Sequence, residues 1–161
     1  MLASIEEKAF HPASLQITNQ VKDAGSEDYD GLDLLCNGNV RIKYRKAKLT
    51  PKKVGNFVAL WKRSTSGDTE PFALSDPFDF YMIAVHSESR SGFFMFPKQA
   101  LADNGVLTDG AKEGKRGFRL YPDWEEAPNR QAMKTQQWQS AYFVDLDEKE
   151  PAGRLRRICQ I

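Results

Sequence analysis

The chain has 161 residues, room for one domain with a sizeable core, and its 40% hydrophobic and 28% charged residues are ordinary for a globular protein. No apolar run of about 18 residues and no basic-then-apolar amino-terminal stretch occurs, which argues against a membrane span and a secretion signal. The formal charge is only +1, but it is unevenly placed.

Residues 1–39 carry seven acids (Glu6, Glu7, Asp23, Glu27, Asp28, Asp30, Asp33) against Lys8 and Lys22. The next 24 positions carry nine Lys or Arg and no acid. An acidic segment beside a basic groove is the expectation, and neither alone names a partner. Cys36 and Cys159 lack metal-ligand spacing and read as free thiols of a cytoplasmic protein.

Residues 1–12 read as loosely structured. Leu15, Ile17 and Val21 suggest a short helix of weak period ending near Ala24-Gly25. An acidic loop (26–31) precedes a short strand over Leu32–Cys36. Asn37-Gly38-Asn39 reads as a hairpin turn, since Asn-Gly accepts positive φ. Then Val40, Ile42 and Tyr44 alternate with Arg41, Lys43 and Arg45, the pattern of a half-buried strand. The same parity sets Lys46 and Lys48 on the core-facing row, which is costly unless that row opens into a cleft. Thr50 and Pro51 look like a helix start, with Val54, Phe57, Val58 and Trp61 as its inward stripe. Lys52, Lys53, Lys62 and Arg63 are left for solvent or a partner. The plainer reading is a solvated basic strand and helix, with Lys46–Lys48 already in a turn.

Beyond a polar loop, residues 70–79 are punctuated by proline. Asp79–Val85 is a near-continuous apolar run, as in a strand covered on both faces. Gly92–Phe96 is the next strand, Lys98–Asn104 a short helix stopped by Gly105, and Gly117–Tyr121 another strand. Asn129–Leu146 reads as the last helix, capped by Asn129, with Trp138, Ala141 and Tyr142 inward. The order implies one α/β domain, a mixed sheet with helices on both faces. Its core spans about residues 12–146, leaving the amino-terminal segment and residues 147–161 peripheral.

At RKAKLTPKKVGNFVALWKR, EPF, FDFYMIAV, GFFMFPKQAL, EGKRGFRLYPDW and KTQQWQSAYF, in that order from about Leu34 to Phe143, the chain resembles the MepB family. The resemblance implies a fold more than an activity. The element order is also similar to the restriction-endonuclease-like fold, whose nucleases place an acid on one strand and an acid-x-lysine motif on the next. Carried over by position, Asp33 is the first acid and Lys48 the lysine, the catalytic pair if the protein is an active nuclease. The acid position of the motif falls on Lys46, which is not an acid. Mg²⁺ takes hard oxygen ligands, commonly carboxylates with phosphate and water, so a lysine there disfavours hydrolysis by the usual metal route. No metal site or cofactor is expected, with Mg²⁺ entering only under the nuclease alternative.

Lys115, Arg116 and Arg119 lie in EGKRGFR, just after Lys112. A glycine-flanked basic turn suits a phosphate, and a merely solvated hairpin loop is an equal reading of the same residues. Trp61, Trp124, Trp138, Tyr121 and Phe118 are candidate base-stacking platforms. Trp61 and Trp138 read as core and Trp124 as the best exposed. Thr135, Gln136, Gln137 and Gln139 crowd polar groups around one helical turn, either for a ligand or as a polar face. His11 and His86 are isolated, and no GxSxG nucleophile motif is present. The leading expectation is a nucleic-acid phosphate binder with a degenerate nuclease-like site, using Lys46, Lys48, Lys52, Lys53, Lys62, Arg63, Lys115, Arg116 and Arg119. DNA or RNA is then the partner. The competing expectations are a nuclease with rearranged acids, and a regulatory module whose basic face docks an acidic protein or its own acidic segment.

Overall fold

The computed structural model describes residues 1–161. Its centre is a six-stranded mixed sheet in the order β1 (Ile17–Lys22), β2 (Leu32–Cys36), β3 (Val40–Lys46), β8 (Phe80–His86), β9 (Ser91–Pro97), β11 (Phe143–Asp145). Only β3 and β8 pair in parallel; every other neighbour is antiparallel. Asn37 and Gly38 both take positive φ (51° and 74°), the tight turn that joins β2 to β3. That turn fixes the register: Asp33 stands opposite Lys43, and Leu34 opposite Ile42.

Period-two alternation divides the sheet into two cores. Met82 and Ala84 of β8 with Phe93 and Met95 of β9 face one side; Tyr81, Ile83 and Val85 with Phe94 and Phe96 face the other. The apolar runs at 80–85 and 93–96 are thus strands covered on both faces, as their composition predicts. Over the first face lie α1 (Leu2–Ile5), whose coil continues to Ala13, and α4 (Pro151–Cys159). Over the second lie α2 (Lys98–Asp103), α3 (Arg130–Ser140) and a small antiparallel sheet of β10 (Gly117–Leu120), β5 (Asn56–Ala59) and β4 (Lys48–Leu49). The hairpin of β6 (Trp61–Arg63) and β7 (Thr69–Pro71) flanks it.

Four expectations from the sequence fail here. Residues 51–63 form no helix. Gly55 (φ 93°) sits where a Cβ would meet the Leu120 carbonyl at 2.5 Å, and from Asn56 onward burial alternates with period two through Val58 and Leu60. Ile17–Lys22 is an edge strand, not a helix, because β2 offers it an antiparallel partner. The last helix ends at Ser140, and buried Phe143 and Val144 pair with β9 instead.

The terminal segments are not peripheral. Ile5, Phe10 and Leu155 are fully buried, so both chain ends close one face of the sheet. The tail is amphipathic: Leu155 and Ile158 turn inward while Arg154 caps α3. Its guanidinium donates to the carbonyls of Ser140, Ala141 and Phe143 at 2.9–3.1 Å.

Candidate nucleic-acid interface

The nine positions expected to meet phosphate do not form one surface. The chain leaves the central sheet at Ala47, whose N–H donates to the Ala84 carbonyl, and joins the small sheet at Lys48. Lys46 therefore stays at the end of β3, half-buried, beside Asp23, Glu27 and Asp30. Lys48 is exposed, with its ammonium 4.7 Å from the Tyr29 ring centroid. Lys48 shares no cleft with Asp33, the acid with which the nuclease resemblance pairs it.

Asp33 instead accepts from Lys43 at 2.6 Å, its partner in the register. The same ammonium lies 3.1 Å from Asp23, and Asp23 also accepts from Arg45 at 2.5 Å. Arg45, only 2% exposed, donates further to the Tyr44 carbonyl. Burial alone would favour neutral Asp23, but the hydrogen bond and charge of Arg45, with Lys43, outweigh it and hold the carboxyl below its ordinary value. On the face that Asp33 shares, the positions opposite and next along β3 are Lys43 and Arg45. Both are basic, and the Lys43 ammonium fills the place between the two carboxylates where a cation would sit. Two of the four cations on β3, Lys43 and Arg45, are thus neutralised by the acidic segment that precedes the strand.

Lys62 is likewise spent. It lies 2.6 Å from Asp76 and 3.7 Å from Glu70. Arg63 stacks over Trp61 and donates to the Gly67 carbonyl. Arg116 is held by Glu113 and the Thr69 carbonyl.

Four of the nine do converge. Lys52 and Lys53, on the turn between β4 and β5, Lys115, on the loop before β10, and Arg119, on β10, line one groove of about 610 Å³ against α3. No Asp or Glu lines it, and none of the four enters a salt bridge. Arg119 also builds the groove. It donates to Thr50 Oγ1 (2.8 Å) and the Val54 carbonyl (3.2 Å), fixing the turn that carries Lys52 and Lys53.

The opposite wall is polar and aromatic: Gln131, Thr135 and Trp138 from α3, Asn104, and Tyr121 after β10. Asn129 caps α3, accepting from the Ala132 N–H at 2.9 Å. Of the polar helical turn, Gln139 is structural: fully buried, it accepts from the Tyr121 N–H and donates to the Arg119 carbonyl. Gln136 holds the carbonyls of Pro122 and Glu125. Trp124 is half-buried edge-on against Phe143, so it is no open platform. Asn104 and Gln131 escaped sequence reading, because nothing in their neighbours marks them.

The family model described as MepB-like matches residues 23–145. The chain belongs to the MepB-like family. It is 33% identical to the protein in the crystal structure of MepB, with a TM-score of 0.79 over 83% of this chain and 89% of that one. It also aligns with the bacterial homing endonuclease I-Ssp6803I, at 13% identity and a TM-score of 0.46, over 84% of this chain and 82% of that one. No curated protein matches it. The six-stranded mixed sheet covered on both faces is the α/β architecture that the element order implied. No helix of the MepB-like chain is long and apolar enough to cross a membrane.

Proposed function

We propose that this MepB-like protein binds the phosphate backbone of nucleic acid in the groove lined by Lys52, Lys53, Lys115 and Arg119, and acts in the cytoplasm. One observation carries the reading: four cations from three segments line one groove without an acid, while the other basic clusters are neutralised or scattered. Unpaired cations in a concave site concentrate field and attract polyanions. The degenerate nuclease site belongs to the same proposal. Asp33 remains, but the lysine and arginine across from it leave a divalent ion no vacant carboxylate pair.

The test is fluorescence anisotropy with labelled DNA and RNA across a salt series. About four phosphate contacts give a log–log salt slope of roughly −3 to −4. Reversing Lys52, Lys53 and Lys115 to Glu abolishes most of the binding, while Lys48→Glu, outside the groove, leaves it nearly unchanged. Absence of binding at tens of micromolar protein, or equal binding by the triple variant, removes the proposal. Salt-sensitive binding of polyglutamate without nucleic-acid binding puts acidic-protein docking in its place.

A further inference from the structure

Resting on the phosphate-binding reading of this groove, we infer that its ligand is a single-stranded polynucleotide, with bases stacked on Trp138 and Tyr121 while phosphates meet Lys52, Lys53 and Lys115. The two walls differ in chemistry. Cations come from the turn between β4 and β5 and the loop before β10; aromatic rings and neutral polar groups come from α3 and the start of the segment after β10. Tyr121 and Trp138 are both part-exposed, and Trp138 rests on Phe96 with ring centroids 5.4 Å apart, so its indole is held in place. The Tyr121 main chain is pinned by Gln139, and its ring lies against Gly55, where a Cβ would come within 3.2 Å.

A duplex would use only one wall. It offers phosphates, but its base faces are covered by neighbouring pairs, so the rings have nothing to stack on. A single strand exposes base faces and backbone together and matches both walls. Every base has a π face, so the site stacks without choosing sequence. Thr135 and Gln131, between the rings and the helix start, are placed to hydrogen-bond base edges or sugar hydroxyls.

The experiment compares labelled single-stranded DNA and RNA of about 12 nucleotides, the duplex of the same length, and a single strand of abasic residues. At equal salt the single strand binds at least tenfold tighter than the duplex, and the abasic strand loses that advantage. Trp138→Leu weakens the single strand roughly five- to a hundredfold and narrows its advantage over the duplex. The abasic arm needs no protein variant, so it decides even if Trp138→Leu fails to fold. Duplex and abasic strand binding as well as the normal single strand overturns this inference, while salt-dependent binding lost in the Lys52, Lys53, Lys115 reversal keeps the phosphate-binding reading. No binding to any of the four probes overturns both.

Discussion

Asp23 and Arg45 face each other at 2.5 Å across the edge of the second core, a carboxylate from the loop after β1 against a guanidinium on β3. The guanidinium has almost no solvent contact, and its other hydrogen bond goes to the Tyr44 carbonyl. Gly31 leaves room for it, since a Cβ there would come within 2.8 Å of the Arg45 Nη1. Two cations and two acids thereby lock the amino-terminal third of the chain onto the central sheet. Removing one partner of such a pair leaves a buried charge uncompensated. Asp23→Ala should therefore lower stability by about 3–5 kcal/mol, read as a shift in the urea midpoint. Asp33→Ala, at an exposed carboxylate, should cost under about 1 kcal/mol. Equal effects would show that the pair is not the lock.

The same ion pair sets an acid limit. The folded carboxyl of Asp23 titrates below its ordinary 3.8, held there by Arg45 and Lys43 against burial. A depressed folded pKa contributes stability that is complete above the unfolded value and disappears as pH falls through the folded one. Wild-type protein should lose stability on acidification below about pH 4, and Asp23→Asn should flatten that part of the curve. A denaturant series from pH 6 to pH 2 measures it; identical slopes in both proteins contradict the assignment.

The ends of the chain carry a third expectation. Leu155 is fully buried among residues of the first core, and Arg154 caps α3 from the same helix. Leu155→Ala should cost about 2–5 kcal/mol, and deletion of residues 151–161 should leave a poorly folded product. Circular dichroism melting of both variants checks this. A truncated chain that melts like the parent would return the tail to the periphery.

Most strands were legible because their signals are local. Asn37-Gly38 fixed one hairpin, and the runs at 80–85 and 93–96 are too short for helices and too apolar for loops. The region 51–63 was misread because Thr50-Pro51 imitates a helix start, and the decisive fact lies elsewhere in the chain: the Leu120 carbonyl that excludes a Cβ at Gly55. Strand parity was right through Tyr44 and misled at Lys48, because β3 leaves one sheet for another at Ala47. The acid–base asymmetry was visible as composition, but composition cannot tell that Asp23 neutralises Arg45. Nor can it tell that Lys52 and Lys115, 63 positions apart, line one groove.

The two thiols should be slow to react. Burial, with a smaller effect of Glu6, pushes Cys36 up to about 11; burial, with the neighbouring Cys36, pushes Cys159 up to about 12. The thiolate is the reacting form, and each unit of increase removes about nine-tenths of it near neutral pH. Labelling by a disulfide reagent at pH 8 should be at least about a hundredfold slower in native protein than in urea. Fast native labelling of Cys36 would mean that β2 opens readily.

The last expectation concerns metal. Asp23, from the loop after β1, and Asp33, from β2, approach one point, and the Lys43 ammonium lies 3.1 and 2.6 Å from them. That ammonium supplies the positive charge a divalent ion would otherwise bring, so the wild-type pair has little to gain from Mn²⁺ or Mg²⁺. Lys43→Glu removes it and adds a third carboxylate at the same point, the oxygen-rich arrangement such ions prefer. Arg45 still offsets part of that charge, so affinity should be modest. Lys46→Glu, at the far end of β3 beside the acidic loop, places its carboxylate away from Asp33, and the Asp23 it does approach is still paired with Lys43 and Arg45, so it should gain less. Titration calorimetry with Mn²⁺ on the three proteins, each first verified as folded, compares them directly. Stronger Mn²⁺ binding by Lys46→Glu than by Lys43→Glu would contradict the register-based placement, and tight binding by wild type would restore the metal-dependent nuclease reading.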